Sequence, residues 1–259
     1  MTGSLVTRFL RYQGEVALLM VETAKALVLG KVRWRLVGQQ VVSIGFGSQL
    51  VVIVTGAFTG AVFAAQSYFK FSEFGMDSAV GAVVSISMCR ELGPVLTGLM
   101  VAGRVGASMA AEIGTMKVTE QVDALRAMGV HPIDYLVVPR TIAIMVSMPL
   151  LVAEAIGFGM VASHITVVYG FKVPGAWYMH HVVEHTELID ISIGMIKGFV
   201  FSILIVMVSC HQGLRASNGA VGVGKGTTAA VVVSSLALLV FNFFLTLILN
   251  YMSPLGPSG

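Results

Sequence analysis

Read for hydrophobic periodicity, the chain divides into one amphipathic segment and five long apolar runs. On a helical wheel of residues 4–29, Arg8, Arg11, Glu15, Glu22 and Lys25 share a narrow arc. Leu5, Phe9, Tyr12, Val16, Leu19, Met20 and Leu27 fall on the other side. That pattern predicts a helix lying on a membrane surface or packed against other protein, and not a span. A basic collar, KVRWR (31–35), follows. Residues 41–69 then run without a charge, longer than the roughly 20 residues that cross a bilayer. Within this run Gly56, Gly60 and Ala64 repeat at four-residue spacing, which permits close helix packing.

A short polar turn, KFSEFGMD (70–77), leads to a second span over about 79–103, which holds Arg90, Glu91 and Pro94. Residues 104–135 are the most polar internal stretch. A third span covers about 137–168, with Arg140 near its start and Glu154 inside it. The loop FKVPGAWYMHHVVEHTELID (171–190) precedes a fourth span, about 191–210, that carries Lys197. HQGLRASNGAVGVGKGTT (211–228) reads as a glycine-rich loop, the fifth span covers about 229–251, and PLGPSG is a tail. The predicted fold is therefore all-α and membrane-integral. It comprises an interfacial helix, five spans and a short helix between spans 2 and 3, in one domain over 1–259 (1–35 interfacial helix and collar, 36–259 five-span core).

Composition agrees. Of the 259 residues 56% are hydrophobic and 11% charged, and mean hydropathy is +0.88; soluble domains carry about a quarter charged residues. A net charge of +3 argues against a nucleic-acid partner. Cys89 and Cys210 both lie in apolar runs, so no disulfide is expected. Arg8, Arg11 and Glu15 interrupt the first apolar stretch, so no cleavable signal is expected. Lys and Arg set orientation. Arg8, Arg11, Lys25, Lys31, Arg33, Arg35, Arg104, Lys117, Arg126, Arg215 and Lys225 fall on one side of a five-span topology, Lys70 and Lys172 on the other. The N-terminus is expected inside and the C-terminus outside.

Four features bear on chemistry. Arg90, Glu91, Glu154 and Lys197 are charges inside spans, each costing at least about 2.5–3.5 kcal/mol at a helix centre, so each needs a partner or a wet cavity. Neighbours on a helix point about 100° apart, so Arg90 and Glu91 need partners on other helices. Lys197 is the obvious cation for Glu91, and Arg90 is expected to face a neighbouring carboxylate or a dimer axis. Both a structural ion pair and a substrate pathway are consistent with this set. Pro94 removes a backbone donor and is expected to kink its helix.

The second feature is GTMKVTEQVDALRAMGVHP (114–132), an amphipathic helix with Val118, Val122, Leu125 and Met128 in its stripe. Lys117, Glu120, Asp123 and Arg126 lie away from that stripe, Gly129 caps the helix and Pro132 stops it. It rests on the membrane or docks into a partner. The third, GAVGVGKGTT (219–228), approaches a phosphate-binding loop but places Gly226 where Ser or Thr is required; a flexible loop is expected. The fourth, HHVVEH (180–185), sets His181 and His185 at i, i+4 around Glu184, but beside Trp177 and Tyr178 it reads as an interfacial loop. No metal or cofactor is expected.

The run CRELGPVLTGLMVAGRVGASMAAEIGTMKVTEQVDALRAMGVHPIDYLVVPR (89–140) resembles the signature of the MlaE/YrbE family, permease subunits of ABC transporters that move lipids. The matching elements are RELGPV (90–95), AGRVGA (102–107), AEIGTM (111–116), TEQVDAL (119–125) and the YLVVPR ending. The resemblance extends over nearly the whole chain, including GVGKGTTAAVV at the fifth span. It implies a homodimer in the bacterial inner membrane, a cytoplasmic ABC ATPase docked around 117–128, and an MCE-domain partner in the periplasm. In some members a STAS-domain protein sits on the ATPase. It implies no catalysis in this chain and a membrane lipid, phospholipid above all, as cargo.

On that basis the lipid-path candidates are Arg90, Glu91, Leu92, Phe63, Phe74 and Lys197, and the ATPase-coupling candidates Glu120, Gln121, Asp123 and Arg126. A proton-coupled secondary transporter using Glu91 and Glu154 is the alternative, and a non-transporting scaffold a third reading.

Overall fold

The computed structural model describes residues 2–30 and 32–252; Lys31 of the basic collar and the PLGPSG tail lie outside them. The side chains of residues 2–6, 8, 9, 78 and 252 also lie outside what is described. Among the described residues there is no strand, as expected where lipid leaves backbone groups only each other as partners. The helices are α1 (Thr2–Leu29), α2 (Trp34–Ser72), α3 (Val80–Val118), α4 (Gln121–Ala127), α5 (Ile133–Gly170), α6 (Gly175–His185), α7 (Leu188–Leu214) and α8 (Gly219–Met252). Five of them, α2, α3, α5, α7 and α8, are long and apolar enough to cross a membrane.

These spans are longer than the apolar runs. α2 absorbs part of the collar, and α3 continues through residues 104–118, which the charge pattern set apart as polar. The glycine-rich 211–228 stretch is not a loop. α7 runs to Leu214, α8 starts at Gly219, and only four residues join them. Asn218 and Gly219 turn the chain with positive φ. Gly222 sits where a Cβ would run into the Ser217 carbonyl. The glycines thus serve a tight reversal, and at a membrane boundary the backbone satisfies itself by continuing as helix.

The chain divides into two compact units, and every span supplies residues to both. One comprises Met1–Phe46, Val101–Val146 and Ser202–Ala237. Its core includes Val105, Met109, Ile113, Val137, Ile144, Ile205 and Met207. Here α1 is tied to the end of α7. The Glu15 carboxylate meets His211 Nε2 at 3.2 Å and Arg215 Nη1 at 2.8 Å, and Gln212 donates to the Tyr12 hydroxyl at 3.2 Å. Leu19 and Thr23 are buried, while Leu10, Leu18, Val21 and Val28 stay exposed. The first segment therefore packs on protein along one face, and it offers apolar residues along another. Arg140, buried, donates to Glu112 Oε2 at 2.8 Å, and Ser108 donates to the same carboxylate.

The other unit comprises Gly47–Met100, Ser147–Phe201 and Leu238–Gly259. Its core gathers Ala64, Val80, Val84, Met88, Val167, Tyr178 and Val182, with Phe63 and Leu92 packed against it. The glycine repeat lets α2 and α5 touch backbone to backbone. A Cβ at Gly56 would lie 2.6 Å from the Ala155 carbonyl oxygen, and one at Gly60 would run into the Gly159 backbone. α6 docks on α3 in the same manner, with the Tyr178 carbonyl 2.9 Å from where a Cβ on Gly81 would stand.

Candidate functional site

Pro94 organises the second unit's polar cluster. In a regular helix the Arg90 carbonyl takes its proton from residue 94, which here has none to give. The helix answers with a π turn over Met88–Leu92, the stretch that carries Arg90 and Glu91. Such turns mark functional positions in many helices. The Arg90 carbonyl instead accepts from Lys197 Nζ at 2.8 Å.

Lys197 lies wholly buried on α7. Its ammonium has three protons and three oxygens to receive them: Glu91 Oε1 at 2.7 Å, the Arg90 carbonyl, and Thr246 Oγ1 at 2.9 Å. Glu91 Oε2 accepts from Asn242 Nδ2 at 3.0 Å. The Thr246 hydroxyl proton has two acceptors in reach, Glu91 Oε1 at 2.9 Å and the Asn242 carbonyl at 2.8 Å.

Arg90 leaves the same turn in another direction. Its Nε pairs with Asp190, and its Nη1 donates to Asn250 Oδ1 at 3.0 Å. Asp190 stands in the first turn of α7, where its other oxygen accepts the Glu187 N–H at 2.8 Å. A carboxylate at the third helical position reaching back to the capping N–H is half of a capping box. One side chain therefore starts a span and neutralises Arg90. Two cations and two anions balance across α3 and α7, and Asn242, Thr246 and Asn250, spaced by four along α8, close the set.

Of the sequence candidates, Arg90, Glu91 and Lys197 come together. Leu92 and Phe63 border the unit's apolar core beside them. Leu92 also lines a crevice of about 10 Å³ with Gly56, Met88 and Ala155, too small to hold acyl chains. Phe74 is not part of this group; it stands exposed in the turn between α2 and α3. Glu154 is half-buried and has no ion-pair partner among the described residues. Asp190, Asn242, Thr246 and Asn250 were missed. The i, i+4, i+8 spacing of the three α8 residues in an apolar helix was the available signal; Asp190 looked like part of a loop.

In the other unit, α4 begins at Gln121, inside the 114–132 stretch that the sequence pattern reads as one amphipathic helix. Val118 ends α3, and Glu120 turns the chain with φ +62°. Gly129 caps α4 as predicted: the Val130 N–H reaches the Leu125 carbonyl and the Gly129 N–H that of Arg126, a Schellman arrangement. Val122 is buried, but Met128 is exposed and does not join the buried stripe. Asp123 is held by Lys117 at 2.8 Å and Arg126 at 2.9 Å. The hydrogen bond from Lys117, then the two nearby cations, keep its carboxyl below the usual range. Glu120 and Gln121 are exposed. Beside α4 lies a cleft of about 720 Å³, bounded by Leu18 and Glu22 of α1, Val122 and Arg126 of α4, Val130, and Leu214 of α7.

The model of the family described as Permease MlaE matches residues 37–248. A probable ABC transporter permease protein of Rickettsia typhi is 42% identical over 246 residues, covering 95% of each chain. One of Synechocystis sp. is 39% identical over 220 residues, 85% of this chain and 84% of the other. The Arabidopsis thaliana protein Trigalactosyldiacylglycerol 1, chloroplastic, is 38% identical over 222 residues, 85% of this chain and 63% of the plant protein.

Proposed function

The chain belongs to the MlaE permease family, and from that membership we propose that it is the membrane subunit of an ATP-driven lipid transporter, with phospholipid as cargo. An ABC permease is not itself catalytic and works with an ATPase. In this reading the ATPase docks at α4, through Glu120, Gln121 and Arg126 and into the neighbouring cleft. The proton-coupled alternative yields to the family membership.

The observation that carries the lipid reading is the charge-balanced cluster of Arg90, Glu91, Lys197 and Asp190 within spans that also offer long apolar faces. Phe46, Leu50, Phe58 and Val62 of α2 and Phe241, Phe244, Leu247 and Ile248 of α8 are exposed. A lipid needs both kinds of surface, a polar one for its headgroup and an apolar one for its chains. The Arabidopsis relative bears the name of a diacylglycerol glycolipid, which supports the same class of cargo. In this reading the lipid path lies at a homodimer interface between the first, second and fifth spans, α2, α3 and α8, and the small size of the crevice beside Leu92 supports a path outside the single chain. The whole chain then acts as one permease domain in a bacterial inner membrane. An MCE-type protein receives or delivers lipid outside, and a STAS-domain protein is an optional companion of the ATPase.

Purification of the full chain with its associated proteins from native membranes, in mild detergent, tests this. Native mass spectrometry should find two permease copies, an ATPase, an MCE-type partner and bound phospholipid. A complex with no glycerolipid above the wash control, and with ATP hydrolysis indifferent to added phospholipid, would overturn the lipid assignment.

A further inference from the structure

The segment HHVVEH, read from the sequence as an interfacial loop, is helical and presents a set of metal donors. We propose that His180, His181 and Glu184 of α6 form a binding site for a borderline divalent cation of the zinc class. His180 Nδ1 lies 3.2 Å and His181 Nδ1 3.9 Å from Glu184 Oε2. One donor atom from each of the three residues falls within 4.8 Å of the others. Four donors at about 2.1 Å around a tetrahedral zinc stand roughly 3.4 Å apart, so the pairs with Glu184 already have the right separation. Small rotations of exposed imidazoles supply the rest.

Two imidazoles and a carboxylate are the donor set that zinc accepts with a fourth position open. The same set is too poor in oxygen for calcium or magnesium, which take six or more oxygen ligands or keep several waters. The helix that carries it is firmly placed. Tyr178 and Val182 are buried against α3, the Tyr178 hydroxyl meets Ser163 Oγ at 2.9 Å, and Thr186 just past the helix donates to Ser85 Oγ at 2.7 Å. Burial and hydroxyl contacts on one face fix the orientation of the other, so the donors are presented before any metal arrives. His181 is the best placed of them, about a quarter exposed, where His180 is about 70% exposed.

His185 stands near the same carboxylate, at 3.9 Å. Its Nδ1 lies 3.1 Å from the His181 carbonyl, and the group of donors within 4.8 Å of one another comprises His180, His181 and Glu184 without it. The site therefore reads as three protein ligands, with His185 as a bystander. A fourth ligand is water or a donor from a protein seated on this face.

The test is calorimetric titration of the full-length permease in detergent, purified on a tag without histidine. ZnCl2 should give one saturable site per chain and MgCl2 none. His181→Ala and Glu184→Gln should each weaken zinc binding by roughly tenfold or more, and His180→Ala/His181→Ala should abolish it. His185→Ala should bind as the parent does. Unchanged size-exclusion profiles and helical content will separate loss of the site from loss of the fold. No saturable zinc binding by the parent, or equal binding by the His180→Ala/His181→Ala variant, overturns the assignment and leaves a simple histidine–carboxylate ion pair. Loss of binding in His185→Ala alone would overturn the three-ligand set in favour of one built on the 181/185 pair.

Discussion

Lys197 and Glu91 are partners of unequal need. The lysine is fully buried, and its remaining oxygens after loss of Glu91 are a carbonyl and a hydroxyl, neither charged. Glu91 is 38% exposed at its side chain and keeps donors from Asn242 and Thr246. Breaking a buried pair is costly because of the charge left behind, about 3–5 kcal/mol. Glu91→Ala, which strands Lys197, should approach that figure. Lys197→Met leaves a carboxylate that can still find donors and water, and should cost about 1–3 kcal/mol. In detergent, the temperature at which half the protein leaves the monodisperse peak should fall least for Lys197→Met and most for Glu91→Ala. Glu91→Ala/Lys197→Met should recover above Glu91→Ala. Defects that simply add would show that the two side chains do not act together. Recovery of stability without recovery of lipid transport would assign the charges to the lipid path as well as to the fold. This pairing was legible from the sequence because unlike charges in apolar spans must find each other. Asp190 was not legible because it fell in the stretch read as a loop, and the α8 amides were not because single uncharged polar residues in a span are cheap enough to need no partner.

At the level of whole helices, two contacts separate what a side chain does from what its absence does. Gly60 is needed because the backbone of α5 occupies the space of its missing Cβ. Gly60→Ala should push α2 off α5 and lower the same melting midpoint sharply, or prevent accumulation in the membrane. Gly157, two residues along α5 from the Gly56–Ala155 contact and so on the opposite side of the helix, has nothing near its missing Cβ. Gly157→Ala should be neutral or stabilising by up to about 1 kcal/mol, the propensity difference. Equal behaviour of the two variants would mean that the small residues do not set this crossing.

The second contact is α4. The charge pattern treated Glu120 and Asp123 alike, but they differ. Asp123 staples its own turn through Lys117 and Arg126. Its lowered pKa means a stabilising contribution that is full above the usual aspartate range and is lost as pH falls through the lowered value. Asp123→Lys should therefore disturb the local fold as well as the partner. Glu120 is exposed in a left-handed conformation that glycine holds at less cost. Glu120→Gly should leave the permease as stable as before or more so, while weakening retention of the ATPase on a pull-down. Undiminished ATPase retention and lipid-stimulated hydrolysis would remove Glu120 from the coupling surface. The sequence placed α4 and its Gly129 cap well, because a Schellman cap is a local signal. It misplaced the start of α8, because glycine-rich sequence reads as loop by the rules of water. At a tight reversal next to lipid the same glycines clear space and the helix continues.

For the molecule as a whole the open quantity is sidedness, and it follows from counting spans. Met128, after the second span, and Val183, after the third, are separated by α5 alone, so they must face opposite compartments if α5 crosses. The cation excess on the α1, α4 and α7–α8 connection side predicts that side to be inside. Both native cysteines are fully buried, so they contribute little background to thiol labelling. Met128 is 69% and Val183 71% exposed, and neither anchors a core. Met128→Cys and Val183→Cys should each react with a membrane-impermeant maleimide from one side only. Met128→Cys should label in inside-out vesicles, Val183→Cys in intact spheroplasts. Labelling of both from the same side would break the five-span topology and, with it, the placement of an ATPase at α4. Opposite labelling with the sides exchanged would keep the five spans and overturn the orientation. It would put α4 and its cleft outside the reach of a cytoplasmic ATPase.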